Sequence, residues 1–415
     1  MHTHAQSIHF LKLFFALVLV VSGPTLASKP AQFGGPSGVS GELNESYEQR
    51  APGGDSGSLK GLGESYFEWK DHLLEEHNLS FGLYGYWLYQ SASDTLGEED
   101  EGLGQIYRFL GSYNLYGKDT GHPGRIEWRF EHRSNMGSYL SPSQLGGETG
   151  VATLNTGFAY SPTFDTDLAV LNWTQLFNKQ TAGVAIGRLA FDAYLDAFPF
   201  QTFSRGFINR AFILSPTIAT TGIGALGTVA KGFVSDNIWL GGQIYDGNAA
   251  SGDFDMDTFD QGEWLKAVEI GWTPAFDRRT TDRIQFTWWD KDAREQAGVS
   301  AGQGWTVSAS VKRDNWFPFV RFGHSDGGAG VAATSSASAG FEYATRPNQA
   351  WSLGLGWADP VTPESRDEYV VETSYKFQLL KGFSLLPNAQ LLLDPVNNPD
   401  EDRVWVLGLR GILSL

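Results

Sequence analysis

The stretch from Phe191 to Arg210 reads Phe-Asp-Ala-Tyr-Leu-Asp-Ala-Phe-Pro-Phe-Gln-Thr-Phe-Ser-Arg-Gly-Phe-Ile-Asn-Arg. It mixes flat apolar rings with short acids, an amide and guanidinium groups. Such a mixture suits a sugar: rings cover its C–H faces, and a few placed polar groups engage its hydroxyls. On this reading Arg188, Arg205 and Arg210 donate hydrogen bonds and Asp192 and Asp196 accept them. Asn209 adds an amide, and Tyr194, Phe198, Phe200 and Phe203 form a stacking rail. The alternative is that the rings only pack the segment against its surroundings. A second group is the alternating series Arg125, Glu127, Arg129, Glu131 and Arg133, which places five charges on one face of an extended strand. In a wet lumen this ladder would set up a transverse field that orients water and excludes bare ions. On a solvated outer face it would do nothing in particular.

Other motifs lack the context their chemistry needs. Gly298-Val299-Ser300-Ala301-Gly302 spells a nucleophile elbow, but a charged loop precedes it and a strand pattern follows, where a strand and then a helix are required. Gly222-Ile223-Gly224-Ala225-Leu226-Gly227 opens an extended run, not the helix of a dinucleotide site. Asp253, Asp255 and Asp257 resemble the start of a calcium loop, yet Thr258 stands where the turn glycine belongs and Trp264 where the closing glutamate belongs. A solvated acidic loop is the first reading there, with calcium or lipopolysaccharide bridging as the alternative. His72, His77, His122, His132 and His324 show no zinc spacing. No metal site, catalytic residue or cofactor is expected.

The elements that must position these residues are strands. Segments of about nine to thirteen residues recur between clusters of Gly, Pro, Asn and Asp, the pattern of antiparallel strands and turns. Sixteen are expected: 79–90, 103–116, 124–134, 166–176, 180–190, 225–234, 237–246, 263–273, 282–290, 304–312, 316–324, 335–344, 349–358, 367–379, 383–393 and 402–414, with 152–160 a doubtful seventeenth. Many alternate with period two. Trp351, Leu353, Leu355 and Trp357 face one side, and Ser352, Gly354, Gly356 and Ala358 the other. Aromatics at both ends of the apolar face suit a membrane barrel turned inside out, with lipid outside and water within. The fold class is therefore all-β: a transmembrane antiparallel β-barrel of about 16 strands with a short N-terminal helix. Leu62, Tyr66, Trp69 and Leu73 give that helix, over 62–77, one apolar face. The longest break in the strand rhythm, 191–224, is the expected constriction loop.

Composition supports export and excludes other classes. Lys12, an apolar run from Leu13 to Val21 and the small-x-small site Thr25-Leu26-Ala27 mark a signal peptide over 1–27. Residues 28–60, rich in Gly, Ser and Pro, read as a flexible periplasmic arm, and 61–415 as the barrel. The absence of cysteine removes disulfides and thiolate chemistry, and a net charge of −17 argues against nucleic acid as a partner.

Four stretches resemble the carbohydrate-selective porin family of the OprB type. They are Trp69 to Gln90, Ala185 to Pro216 with its G-R-x-x-x-x-x-Y-x-D and F-x-N-x-A-F patterns, Glu372 to Gln378, and Leu386 to Arg410. By that resemblance Gly187, Arg188, Asp196, Phe207, Asn209 and Ala211 match positions around the constriction. The resemblance implies a bacterial outer-membrane barrel of sixteen strands for passive diffusion of glucose and other small neutral carbohydrates. Its expected surroundings are outer-membrane lipid and lipopolysaccharide, and either a monomer or a homotrimer is compatible. The chain departs from the pattern in ending at Leu415, where bacterial barrels usually end in Phe, and in its arm 28–60. The rival readings are a general diffusion porin without a sugar site, an outer-membrane barrel enzyme acting through Ser300, and a secreted soluble lectin.

Overall fold

The computed structural model describes residues 32–49, 64–118, 120–161, 166–251, 260–362 and 366–415. The expected signal peptide and the Asp253–Asp257 loop lie outside them. Sixteen strands close into one antiparallel barrel in simple sequence order. They are β1 (Leu79–Ala92), β2 (Glu101–Tyr116), β3 (Gly124–Asn135), β4 (Asp167–Phe177), β5 (Ala182–Leu189), β6 (Ala225–Phe233), β7 (Ile238–Asp246) and β8 (Trp264–Trp272), followed by β9 (Arg283–Lys291), β10 (Gly302–Ser310), β11 (Trp316–Ser325), β12 (Ala333–Arg346), β13 (Gln349–Pro360), β14 (Glu368–Leu380), β15 (Phe383–Leu393) and β16 (Arg403–Ser414). Every expected strand is present. The seam pairs Tyr84 of β1 with Ser414 of β16, and Leu83 and Leu415 exchange both backbone hydrogen bonds, at 2.9 and 2.8 Å. Leu415 thus completes the ladder through its main chain, which no side chain need alter.

The apolar face of the alternation points outward. Val268, Ile270, Phe286, Phe322, Leu355, Leu407 and Leu409 are exposed around the wall. Aromatic side chains ring it at both ends. Trp316, Tyr343, Trp351 and Tyr375 lie near one rim, and Trp288, Trp305, Trp357 and Tyr369 near the other, where the registers pair Trp288 with Trp305 and Trp357 with Tyr369. An exposed apolar band between two girdles is stable only against lipid. The first rim carries the short turns, such as 346–349 and 380–383, and the opposite rim carries the long connections 136–166 and 190–224.

Both long connections fold into the bore. The stretch 152–160 is irregular, so the doubtful seventeenth strand is absent. Its main chain is anchored on the wall instead, where Glu368 of β14 accepts from the backbone N–H groups of Ala152, Thr153 and Leu154 at 2.5, 2.9 and 3.2 Å. Glycines on the inward face make room for the other connection. A Cβ at Gly354 would lie 2.6 Å from the Phe212 ring and 2.8 Å from Phe207, and one at Gly356 would lie 2.8 Å from the Ala211 methyl. These small residues therefore serve close approach, not a bulge.

Two expectations about the N-terminal region change. Residues 32–49 are no flexible arm: Val39–Gln49 forms helix α1 inside the barrel, with Val39 and Leu43 buried. Its sequence hides this, since Gly41 and three polar neighbours give it little intrinsic helicity, and packing supplies the stability. The second helix, α2 (Glu64–His77), stands where expected, but it buries Phe67, Lys70 and Leu74 and leaves Trp69 exposed. The Trp69 ring meets Phe81 edge-on at 5.7 Å, and Lys70 Nζ sits 5.1 Å from the same ring. Aromatic contacts with β1 rotate the helix away from the face its periodicity suggested.

Replacing Gly354 by leucine forces the inserted loop off β13, and overpacking of this kind costs about 1–3 kcal/mol. The variant is expected to unfold at lower temperature in a heat-modifiability gel and to be cut more readily within 191–224 by added protease.

Candidate functional site

The charged ladder of β3 faces the lumen. Arg125, Glu127, Arg129, Glu131 and Arg133 are all buried, while Ile126 and Phe130 turn outward. Pairing runs along the strand, with Arg125 to Glu127 at 3.0 Å, Arg129 to Glu131 at 3.2 Å and Arg133 to Glu131 at 2.5 Å. The register then places Arg108 of β2 opposite Glu131, and the two form an ion pair at 2.8 Å. Arg108 was not singled out in the sequence. Its inward position follows from the alternation of β2, in which Tyr107 and Phe109 turn outward.

The constriction loop is held against the far wall. Glu372 of β14 accepts from the backbone N–H groups of Ile208 and Asn209, at 2.7 and 3.1 Å, and from the Asn388 amide at 2.7 Å. Ser374 donates to the Gly206 carbonyl at 2.7 Å, Lys376 to that of Ser204 at 2.8 Å, and Arg410 of β16 to that of Phe207 at 3.1 Å. Hydrogen bonds of this kind fix a loop because leaving a buried partner unpaired is costly.

The loop residues expected to touch a sugar divide into two sets. Most are structural. Phe198 and Phe200 are sunk in a ring cluster with Phe207, Phe317 and Phe319, the Phe200–Phe319 centroids being 4.7 Å apart. They pack the loop onto β11 and are no stacking rail. Tyr194 is buried against Phe33 at 5.8 Å. Arg188 pairs with Asp167 at 2.7 Å within the wall. Asp196, in the left-handed region at φ 49°, is held by Arg321 and by the Thr306 hydroxyl at 2.8 Å. Asn209 caps the short helix α3 (Arg210–Ile213) and donates to the Leu154 carbonyl at 2.7 Å. Arg210 lies over the Phe158 ring at 4.6 Å, and burial without a carboxylate beside it lowers its guanidinium to about 10. Gly187 has φ +132°, and a Cβ there would lie 2.6 Å from the Leu171 carbonyl, so only glycine fits the close strand approach beside Arg188.

The second set lines open space. A cavity of about 290 Å³ lies between the loop and the ladder wall, bordered by Asp192 and Phe203 of the loop, by Arg108, Arg133 and Arg410 of the barrel, and by Tyr160. That volume is at the lower end of the roughly 300–1,000 Å³ usual for small-ligand pockets. The Arg108 guanidinium stacks over Phe203 at 4.6 Å, and Arg133 donates to the Ala159 carbonyl at 2.8 Å. Burial pushes the Tyr160 phenol up to about 12, so it remains a neutral donor and acceptor. Arg205, half-buried, bridges Glu342 at 2.6 Å and Glu45 at 4.0 Å. Ring faces, together with Arg108 and Arg133 whose charge is already paired, can hold hydroxyl groups without demanding an ion. Arg410 and Tyr160 escaped the sequence reading because nothing local distinguishes them: only folding brings β16 and the 141–161 segment beside the ladder.

Ser300 lies between the 3-10 turn Glu295–Ala297 and β10, with no helix after it. Among the described residues no three His, Cys, Asp or Glu side chains gather as a metal site.

Comparison with known proteins agrees with this architecture. Among curated proteins none matches the sequence. The structure of Pseudomonas putida OprB superposes with a TM-score of 0.66 at 14% identity, covering 87% of this chain and 100% of that one. A triple mutant of the Rhodopseudomonas blastica porin gives 0.50 at 15% identity, covering 81% and 100%. The family model described as carbohydrate-selective porin, OprB family, matches residues 283–414, which include the Glu372–Gln378 and Leu386–Arg410 stretches but neither of the two earlier ones. The resemblance read from the sequence is thus borne out over β9 to β16, where the OprB-family model matches, on a barrel that has the porin fold.

Proposed function

We propose that this chain is a bacterial outer-membrane porin through which small neutral carbohydrates diffuse passively, held briefly in the cavity between the loop 191–224 and the ladder wall. The observation that carries the reading is the joint exposure of Arg108, Arg133 and Arg410 with Tyr160, Phe203 and Asp192 to one space inside a closed barrel. Phe203, stacked on Arg108, offers a ring face to a sugar's C–H surface. The guanidinium groups donate to hydroxyls, and Asp192 and Tyr160 accept from them. Because Arg108 and Arg133 already face carboxylates, the site suits an uncharged solute better than an anion. Outside, the aromatic girdles and apolar band fit outer-membrane lipid, with lipopolysaccharide at the long-loop rim.

Reconstituted into a planar bilayer, the protein is expected to show channels whose conductance falls saturably as glucose is titrated. Channels that sugar leaves untouched would make it a general diffusion pore. Phe203→Ala is expected to weaken the block about fivefold, a loss of ~1 kcal/mol in stacking. Arg205→Ala should weaken block or flux as well, because the loop loses its bridge to Glu342. Unchanged block in both variants would remove the site from this loop.

No covalent chemistry is required of such a conduit. A serine-directed phosphonate probe is expected to leave the protein unlabelled, whereas labelling lost in Ser300→Ala would restore the enzyme reading.

A further inference from the structure

Residues 32–49 cross the bore. At one end the Gln32 carbonyl accepts from Arg279 Nη2 at 3.2 Å, in the turn between β8 and β9. At the other end α1 rests on the inner wall of β1–β3, where the Tyr84 hydroxyl donates to the Glu42 carbonyl at 2.9 Å. In a closed ring of sixteen strands these positions face each other across the lumen. On the way the segment binds the constriction loop: Gly35 N–H donates to the Ala193 carbonyl at 2.6 Å, and the Ser37 hydroxyl to that of Asp192 at 3.0 Å. Ser37 also borders the cavity.

The strap brings charge as well as bulk. The β2–β3 wall presents Arg108, Arg125, Arg129 and Arg133 but only Glu127 and Glu131. Glu42 adds a third carboxylate, 2.7 Å from Arg108 and 3.3 Å from Arg129. Glu45 accepts from the Thr202 hydroxyl at 2.8 Å and faces Arg205 at 4.0 Å. A pore lined by uncompensated guanidinium groups gathers anions.

We propose that residues 32–49 are a working part of the constriction, and that Glu42 is its specificity-determining residue: it offsets the arginine excess of the β2–β3 wall and so keeps the pore selective for uncharged solutes over anions. This rests on reading the barrel as a sugar-conducting pore. Glu42 acts on permeant ions through its charge, so a side chain of the same shape without the charge separates this role from packing.

The measurement is the reversal potential across a KCl gradient in planar bilayers, with sugar block recorded on the same channels. Glu42→Gln is expected to raise the chloride-to-potassium permeability ratio about fivefold, the effect, felt in opposite senses by the two ions, of one unit charge roughly 8 Å from the ion path in water. Glu42→Asp should stay near the parent value. The position of the strap is tested separately. An ideal Cβ at Gly38 lies 3.4 Å from that of Ala193, close to disulfide spacing, and the chain has no cysteine of its own. Gly38→Cys with Ala193→Cys is therefore expected to cross-link on oxidation.

An unaltered ratio in Glu42→Gln, with sugar block intact, overturns the proposal and leaves the pore reading standing. Failure of the cysteine pair to cross-link in folded protein also overturns it, and does so even if Glu42→Gln does not assemble. Absence of sugar block in the parent protein overturns the pore reading itself.

Discussion

Within a hydrocarbon layer every peptide N–H and C=O must find a partner in the protein, because there is no water to supply one. Strands meet this demand only by closing on themselves, and the seam between β1 and β16 is where this chain does so. The remaining order follows. A closed sheet leaves two faces, alternate residues divide between them, and lipid outside requires the apolar half to face outward. Charged groups can then stand only inside, which is where the Arg125–Arg133 series lies.

An enclosed polar interior creates its own requirements. Removing one partner from a buried ion pair costs about 3–5 kcal/mol, since the other charge is left uncompensated. Each ladder charge here has a neighbour of opposite sign two residues along, and Arg108 is shared between Glu131 and Glu42. The carboxylates of β14 solve the converse problem. The inserted segments carry backbone N–H groups that regular structure does not satisfy, and Glu368 and Glu372 accept from five of them between them. The wall thus provides both the electrostatic lining, from β2 and β3, and the mechanical anchoring of the loops, from β14.

This division explains what the sequence disclosed. Strand positions were legible because period-two alternation is local and each strand repeats it, as from Trp351 to Ala358. The loop 191–224 was legible as an interruption, and its aromatic content correctly indicated a place inside the barrel. The roles within it were not. Phe198 and Phe203 are the same residue type five positions apart, yet one meets Phe319 and the other Arg108. That difference is set by which part of the wall each reaches, a non-local fact. Arg108 and Arg410 sit in strands that were correctly placed, and only the registers of β2–β3 and β15–β16 bring them to bear on the loop. Helix α1 was the deepest miss, because its low propensity resembles a linker and its stabilising contacts come from β1, β2 and the loop.

A sixteen-stranded barrel is wide enough for an aqueous channel when empty. Here two long connections and the strap 32–49 occupy the bore, and the cavity between the loop 191–224 and the ladder wall has about 290 Å³. On the proposed function, solute choice rests on the filling together with the wall residues Arg108, Arg133 and Arg410 that face it. The family signature over 283–414 covers Glu368, Glu372, Lys376 and Arg410, which hold the filling in place. Arg108, Arg133, Tyr160, Asp192 and Phe203, which with Arg410 face the cavity, lie outside it. The matched third of the chain therefore includes the anchors of the constriction, while most of the residues that face the cavity lie outside it. On the proposed function, a change confined to the strap or to the tip of the loop would redirect the pore to a different solute and leave residues 283–414 unaltered.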